Sequence, residues 1–295
     1  MEPKSSHSGG ARRNPVALMH EHISRFRVHA YEVNAFGELG TSGLLRLMQQ
    51  TASDASAAIG FPLDWYDRNG TVWIIRRTSI ERLAAAAYGD EIAVRTWVSD
   101  IRRVRSQREY ALHREPDGAL FARGSSDWVY VDSRRAAPAR IPRELQQALM
   151  PDGVVAHERP PRKPPDPPPG AFHTRRRVQF AELDSVAHVN NANYADYIEQ
   201  DLYDALDASG WSLDPLGREG RLSLRHLDLE YLEPAQYADR LDGLVWVTHI
   251  GDGRMACQHT LQRNGHRVVH ASTEWQWHGG EMPASLQEAA RALRA

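Results

Sequence analysis

Cysteine is nearly absent: Cys257 is the single one in 295 residues. No intrachain disulfide can form, which fits a reducing compartment. The alternating run Met255, Ala256, Cys257, His259 reads as a strand and makes Cys257 a packed thiol rather than a nucleophile. Long apolar runs are missing too. No stretch of 18 apolar residues occurs, so no membrane-spanning helix is expected. Residues 1–13 are polar, with glycine and serine and without the apolar stretch of a secretory signal. The expected location is therefore the cytoplasm. Neither sign of charge dominates: 36 basic against 38 acidic residues leave a net charge of -2. That balance excludes a global field for nucleic acid or an anionic membrane. Several motifs are missing as well: GxSxG, the P-loop, GxGxxG, HExxH and a Cys/His framework of metal-ligand spacing. No cofactor and no metal are expected.

One local exception to the charge balance is Arg102, Arg103, Arg105 and Arg108, after a strand-like run. If they share a face they form a docking surface for an acidic carrier or a phosphorylated cofactor; otherwise they are a solvated strand end.

What the chain does have is duplication. Prolines crowd its middle, at Pro160, Pro161, Pro164, Pro165, Pro167, Pro168 and Pro169. They remove donors and hold the backbone extended, so this is a stiff linker dividing the chain almost in half. Shifting residues 27–60 by 150 positions gives eight identities in 34 without a gap. They include Glu32 on Glu182, Gln50 on Gln200, Asp54 on Asp204 and Gly60 on Gly210. Farther on, Tyr88, Asp90, Trp97 and Val98 recur as Tyr237, Asp239, Trp246 and Val247, and Gly118 and Trp128 as Gly265 and Trp275. Ordered matches separated by loops of unequal length are the residue of a duplicated fold. The expected organisation is a first domain over 20–150, a proline-rich linker over 151–171, a second domain over 172–280 and a helical tail over 281–295.

Each copy opens with a strand, 25–33 or 175–183, followed by a polar loop and a helix. The first helix is expected over 41–59 with Leu44, Leu45, Met48, Ala52, Ala55 and Ile59 on one stripe. The second is expected over 191–208 with Tyr194, Ile198, Leu202 and Leu206 at four-residue intervals. Thr41 and Asn191 are the expected caps, and Gly60 and Gly210 the stops. Strands follow at 72–79, 91–99, 107–113 and 127–131, then at 223–231, 241–249, 255–262 and 270–277. Pro116-Asp117-Gly118 and Asn264-Gly265 supply hairpin turns. One long helix with four or five strands per copy implies an α+β fold, an antiparallel sheet wrapped around the helix. Its sheet edges invite pairing with the twin copy or between chains as a homo-oligomer.

Chemistry concentrates where the second copy's first strand hands over to its helix. The first copy reads Glu32-Val33-Asn34-Ala35-Phe36-Gly37-Glu38-Leu39 there, while the second carries Asp184, His188, Asn190 and Asn191. Asp184 can orient or activate water, His188 can donate a hydrogen bond or take a proton near neutral pH, and Asn190 can position a carbonyl. Free N–H groups at the helix start can hold an oxyanion. The plainer reading is a turn-capping Asp, a surface histidine and helix-capping asparagines. Glu199, mid-helix, either assists water from the partner domain's side or belongs to an exposed polar face. Glu230 and Glu233, beside Tyr231 and Pro234, either reach the site or face solvent.

Residues 184–194, D-S-V-A-H-V-N-N-A-N-Y, resemble the loop-to-helix signature of hotdog-fold thioesterases. The tandem arrangement resembles the acyl-ACP thioesterase family, two hotdog domains side by side. Trp73-Ile74-Ile75-Arg76-Arg77, Tyr88-Gly89-Asp90 and Thr96-Trp97-Val98 are similar to that family's first domain, and the resemblance spans 22–143 and 172–278. It implies a double hotdog that hydrolyses fatty acyl thioesters on acyl carrier protein, with coenzyme A thioesters or acyl binding without turnover as alternatives. Asp184 and His188 match family catalytic positions. Val186 stands where plant members have an asparagine, and Pro234 where they have a glutamate, with Glu230 and Glu233 out of register. An acyl tunnel would draw on Trp65, Trp73, Leu202 and Leu206, residues that core packing explains equally well.

Overall fold

The computed structural model describes residues 21–115, 117–150, 164–214, 216–218 and 220–294. The first copy runs β1 (His22–Arg27), a 3-10 turn (Ala30–Glu32), α1 (Thr41–Ala58), α2 (Leu63–Arg68), β2 (Thr71–Arg82), β3 (Glu91–Ile101), β4 (Arg105–Glu115), β5 (Ala119–Asp132), β6 (Ala137–Pro138) and α3 (Arg143–Leu149). The second runs β7 (Phe172–Arg177), a 3-10 turn (Phe180–Glu182), α4 (Asn193–Ala208), β8 (Arg221–Tyr231), β9 (Arg240–Gly251), β10 (Arg254–Arg263), β11 (His266–His278) and α5 (Ala284–Ala292). Much of the expected linker, 151–163, lies outside the described residues.

Each copy is a hotdog: a long helix packed on an antiparallel sheet. The sheets join edge to edge, because β2 pairs antiparallel with β8 from Arg77↔Glu230 to Glu81↔His226. The resulting order, β1-β3-β4-β5-β2-β8-β11-β10-β9-β7, leaves β1 and β7 at the two ends. Side chains also tie the seam: the Arg77 guanidinium grips Asp228 through two N–H donors, and Arg76 Nη1 donates to Leu232 O at 2.9 Å. α1 and α4 also touch, and the apolar core runs through both copies.

The helix stripes are where periodicity puts them. Leu44, Leu45 and Met48 of α1, and Ile198, Leu202 and Leu206 of α4, are buried to within 2%. Burying such a side chain stabilises the fold by roughly 1.5–3 kcal/mol. Both helices stop the same way. The Phe61 and Trp211 amides reach back to Ser56 O and Leu206 O, while Gly60 and Gly210, at φ +93° and +98°, bond Ala57 O and Asp207 O. This Schellman turn needs a left-handed residue at the glycine position.

The opening strands are shorter than their apolar patterns suggest. β1 and β7 end at Arg27 and Arg177, and a 3-10 turn takes up the rest. The capping glutamate explains this: Glu32 accepts the His29 N–H at 2.7 Å and Glu182 the Gln179 N–H at 2.6 Å, which coils the chain away from the sheet. The expected caps also differ. Gly40 is the N-cap of α1, with Thr41 already inside the helix, and Ala192 is the N-cap of α4, with Asn191 outside it. Trp65 and Trp73 pack with Phe61, Tyr66 and Tyr130 in a cluster of the first copy, apart from the core holding Leu202 and Leu206. Arg102, Arg103 and Arg105 are exposed, but Arg108 turns inward, so the four form no common patch. Among the described residues no helix is long and apolar enough to cross a membrane.

Candidate functional site

The loop from Asp184 to Asn190 is a tight reversal held by its own backbone. Asp184 N–H donates to His188 O at 2.9 Å and Ala187 N–H to Asp184 O at 3.0 Å. The Asp184 carboxylate reinforces it, Oδ1 accepting the Val186 N–H at 3.0 Å. Ala187 sits at φ +60°, the conformation the reversal requires. Bridges Leu183↔Val189 and His188↔Gln236 then dock the loop on the second copy. The Glu182 carbonyl accepts both Asn190 N–H, at 2.9 Å, and Asn193 Nδ2, at 2.8 Å.

Asp184, His188 and Asn190 thus share one loop at the mouth of α4. Asp184 uses Oδ1 as a turn cap and has no hydrogen bond to Oδ2 among the described residues. It also lies near enough to Tyr194 to act on it: burial first, with Asp184 contributing, pushes the Tyr194 hydroxyl up to about 12. That hydroxyl accepts the Ala235 N–H at 3.2 Å. Asn190 spends its side-chain oxygen on the Ala192 N–H at 3.0 Å, a turn that leads into α4. The Asn191 carbonyl accepts the Tyr231 hydroxyl at 3.1 Å. Tyr194 and Tyr231, packed edge to face at 5.7 Å, support this loop, a contact that the four-residue spacing of Tyr194 on the core stripe does not reveal.

The remaining candidates lie elsewhere. Glu230 alternates with the buried Leu229 and Tyr231, so it points to the opposite face of the sheet from α4, close to Arg77. Glu233 is exposed and pairs with Arg263 at 3.3 Å. Pro234 is also exposed, and its carbonyl accepts from Arg263. Val186 is 56% exposed at the tip of the loop. Glu199 is not on an exposed face: it turns toward the first copy, where Thr41 and Arg82 oppose the burial that pushes its carboxyl up. There it meets the first copy's own version of the loop. Glu38, in the place of His188, is buried and binds Arg221 at 2.5 Å, with Arg82 at 3.8 Å. The duplication therefore builds two junctions, one with Asp184 and His188, the other with Glu38, Arg82, Arg221 and Glu199. Among the described residues no group of His, Cys, Asp or Glu is set to hold a metal.

Comparison with known proteins follows the same division. The family model of the acyl-ACP thioesterase N-terminal domain matches residues 20–149. That of the thioesterase-like superfamily matches residues 178–277. A chloroplastic palmitoyl-acyl carrier protein thioesterase of Arabidopsis thaliana is 25% identical over 271 residues, 85% of this chain. The chain spans 62% of that relative's length. A chloroplastic dodecanoyl-[acyl-carrier-protein] hydrolase of Cinnamomum camphora is 22% identical, over 89% of this chain and 71% of its own. In three dimensions the fold is similar to the 12:0-ACP thioesterase from Umbellularia californica, with a TM-score of 0.71 at 20% identity, covering 88% of this chain and 94% of that one. An acyl-ACP thioesterase from Bacteroides thetaiotaomicron superposes with a TM-score of 0.67 at 16% identity, over 87% of this chain and 98% of its own.

Proposed function

Since the chain is a double-hotdog relative of the acyl-ACP thioesterases, we propose that it hydrolyses acyl thioesters carried by acyl carrier protein, at the loop of the second copy. Water attacks the thioester carbonyl carbon and gives a proton to Asp184. The C–S bond breaks, and the leaving thiolate takes a proton relayed through His188, so that one water is consumed for each acid and thiol released. Amides at the start of α4 steady the oxyanion while the bond breaks.

The observation that carries this reading is the exchange of Asn34 for Asp184 in otherwise equal turns. In the first copy Asn34 Oδ1 accepts the Phe36 N–H at 3.0 Å, as Asp184 Oδ1 accepts that of Val186. A carboxylate is not needed to make the turn. Its charge is left for chemistry.

The same comparison supplies a clean test, because an asparagine already serves in this geometry. D184N is expected to keep the unfolding midpoint of the parent and to lower the turnover of acyl-ACP by roughly 10²–10⁴-fold. Undiminished turnover would remove Asp184 from the mechanism. Assayed in parallel, acyl-CoA turning over faster than acyl-ACP would move the carrier assignment to coenzyme A. Retention of acyl species without hydrolysis of either would leave an acyl-binding protein.

A further inference from the structure

One end of the first copy's sheet is crowded with arginine. The β3–β4 hairpin carries Arg103 and Arg105, the turn after β5 carries Arg134 and Arg135, and the approach to α3 carries Arg140 and Arg143; all six are exposed. Backbone bonds hold the three segments together. Ile141 N–H donates to Arg103 O at 3.0 Å, Tyr130 N–H to Val104 O at 2.9 Å and Ala139 N–H to Tyr130 O at 2.8 Å. The stretches 102–105 and 133–143 contain no acidic residue, and Asp132 and Glu144 stand at the border. Arg102 is tied to Asp100 at 2.9 Å, and Arg135 meets Asp132 only at 4.0 Å. Among the described residues Arg103, Arg105, Arg134, Arg140 and Arg143 have no ion pair.

The second copy builds the same corner without the charge. Following the strand pairing, with Val98 opposite Arg108 and Val247 opposite Cys257, the hairpin 102–105 matches Gly251-Asp252-Gly253-Arg254. Helices α3 and α5 start alike, behind Pro142 and Pro283. Gln146 Nε2 donates to Ile141 O at 3.1 Å as Gln287 Nε2 donates to Met282 O at 3.0 Å. Before α5, however, the turn is only Gly279, Gly280 and Glu281. The corner therefore needs no arginines to fold, and like charges crowded there repel one another at a cost in stability.

The patch borders the second copy's loop. Ser133 N–H donates to Gly70 O at 3.0 Å, and Arg134 Nε lies beside Gly70. The next residue, Thr71, opens β2. At the other junction Arg221, which opens β8 150 positions later, binds Glu38, the counterpart of His188. The duplication thus sets Thr71 on the side of the His188 loop, as it sets Arg221 beside Glu38. Arg76, farther along β2, already reaches Leu232 O, on the segment that leads to the His188↔Gln236 bridge.

We propose that this arginine surface of the first copy docks the acidic face of the carrier protein that presents the thioester. One copy then recruits the carrier and the other cleaves its cargo. This rests on the acyl-thioester reading and gives its protein partner a seat. Six exposed arginines spread over a hairpin, a turn and a helix approach span more than a single nucleotide engages, and their forked donors match carboxylates in pairs. A positive surface beside the site also steers an acidic partner into register.

Binding to the full chain is measured by calorimetry, at low and at high salt, with acyl carrier protein bearing a non-hydrolysable acyl amide. Affinity of the parent is expected to fall roughly tenfold or more as salt screens the contact. The double variant R103E/R140E is expected to lose at least about tenfold at low salt and most of the salt dependence, with the thermal midpoint of the parent. R254E, on the matching hairpin of the second copy, is expected to bind as the parent does. Salt-independent binding by the parent overturns the proposal, a result that needs no variant to fold. Equal weakening by R254E overturns it too. So does a double variant that keeps its affinity for the carrier but loses it for the coenzyme A amide or for phosphatidylglycerol vesicles, which would make the patch a nucleotide or a membrane site. The two readings fail separately. Hydrolysis of acyl-pantetheine thioester by a chain whose carrier binding ignores these arginines removes only the inference, whereas arginine-dependent carrier binding without hydrolysis of any thioester removes only the enzymatic reading.

Discussion

Between the two copies, the residues that stayed the same and those that changed do different work. Glu32 and Glu182 cap the same 3-10 turn through the same oxygen. Gln50 reaches Asp54 at 2.7 Å as Gln200 reaches Asp204 at 2.6 Å. Asp90 and Asp239 each accept the amide three residues before them at 2.8 Å. Trp128 and Trp275 both donate their indole N–H to a hydroxyl two residues back, Ser126 or Thr273. Every one of these repeated contacts secures a turn, a helix face or a strand. The loop residues that differ, Asn34 against Asp184 and Glu38 against His188, share a backbone and not a chemistry. In a duplicated chain, identity marks architecture and divergence marks where function can lie.

The largest way to break this comparison is in the helices. Asp201 of α4 is 1% exposed and held by Thr174 and Arg176, whereas the hydroxyl of its counterpart Thr51 in α1 bonds the Leu47 carbonyl. D201A strands a largely buried guanidinium and is expected to cost about 3–5 kcal/mol in urea unfolding. T51A is expected to cost under about 1 kcal/mol. Equal costs would show that the copies share their stability evenly.

Acid sharpens the comparison next. Burial first, with His270 adding to it, pushes His259 down to about 3, and burial first, with Arg267 adding to it, pushes His270 down to about 4. Both are therefore neutral in the fold and take up protons near pH 6.5 once unfolded. Their contribution is full above about pH 6.5 and is lost as pH falls through the window down to 3–4, at up to about 1.4 kcal/mol per pH unit for each. Where the second copy has His259 the first has Tyr110, which titrates far above this range, so the second copy should be the acid-sensitive one. Urea midpoints at pH 7 and pH 5 should separate, and by less in H259Q. A midpoint gap unchanged in H259Q would assign the acid loss to carboxylates.

How much of this was readable beforehand follows the range of the forces involved. The repeat, the helix stripes, the terminating glycines and the hairpin at Asn264-Gly265, where φ is +54° and +79°, depend on neighbours within a turn or two of chain. Sequence shows such things directly. What a residue meets across a seam it does not show. Periodicity leaves Glu199 on the less apolar side of α4, and only the pairing of β2 with β8 turns that side onto Thr41 and Arg82. Arg108 reads as one of four exposed arginines until its alternation with Tyr110 and Leu112 places it inside. Glu230 and Glu233 are near the loop in sequence, yet strand pleating and a partner arginine carry them away from it.

The smallest test concerns the loop itself. Ala187 takes the left-handed conformation at φ +60° that Gly37 takes at φ +74° in the first copy. A187G is expected to stabilise the protein by up to about 1 kcal/mol, and G37A to destabilise it by a similar amount. Thermal midpoints moving in the same direction would mean that the two reversals are not equivalent.

The β2–β8 seam has a consequence for how the chain can change. Two separate copies of one hotdog meeting along this edge would be related by symmetry, and each substitution would then appear on both sides of the junction at once. Joined in one chain, the halves are released from that constraint. An arginine can enter one interior while the other keeps Cys257, and a carboxylate can arm one reversal while its twin remains an amide.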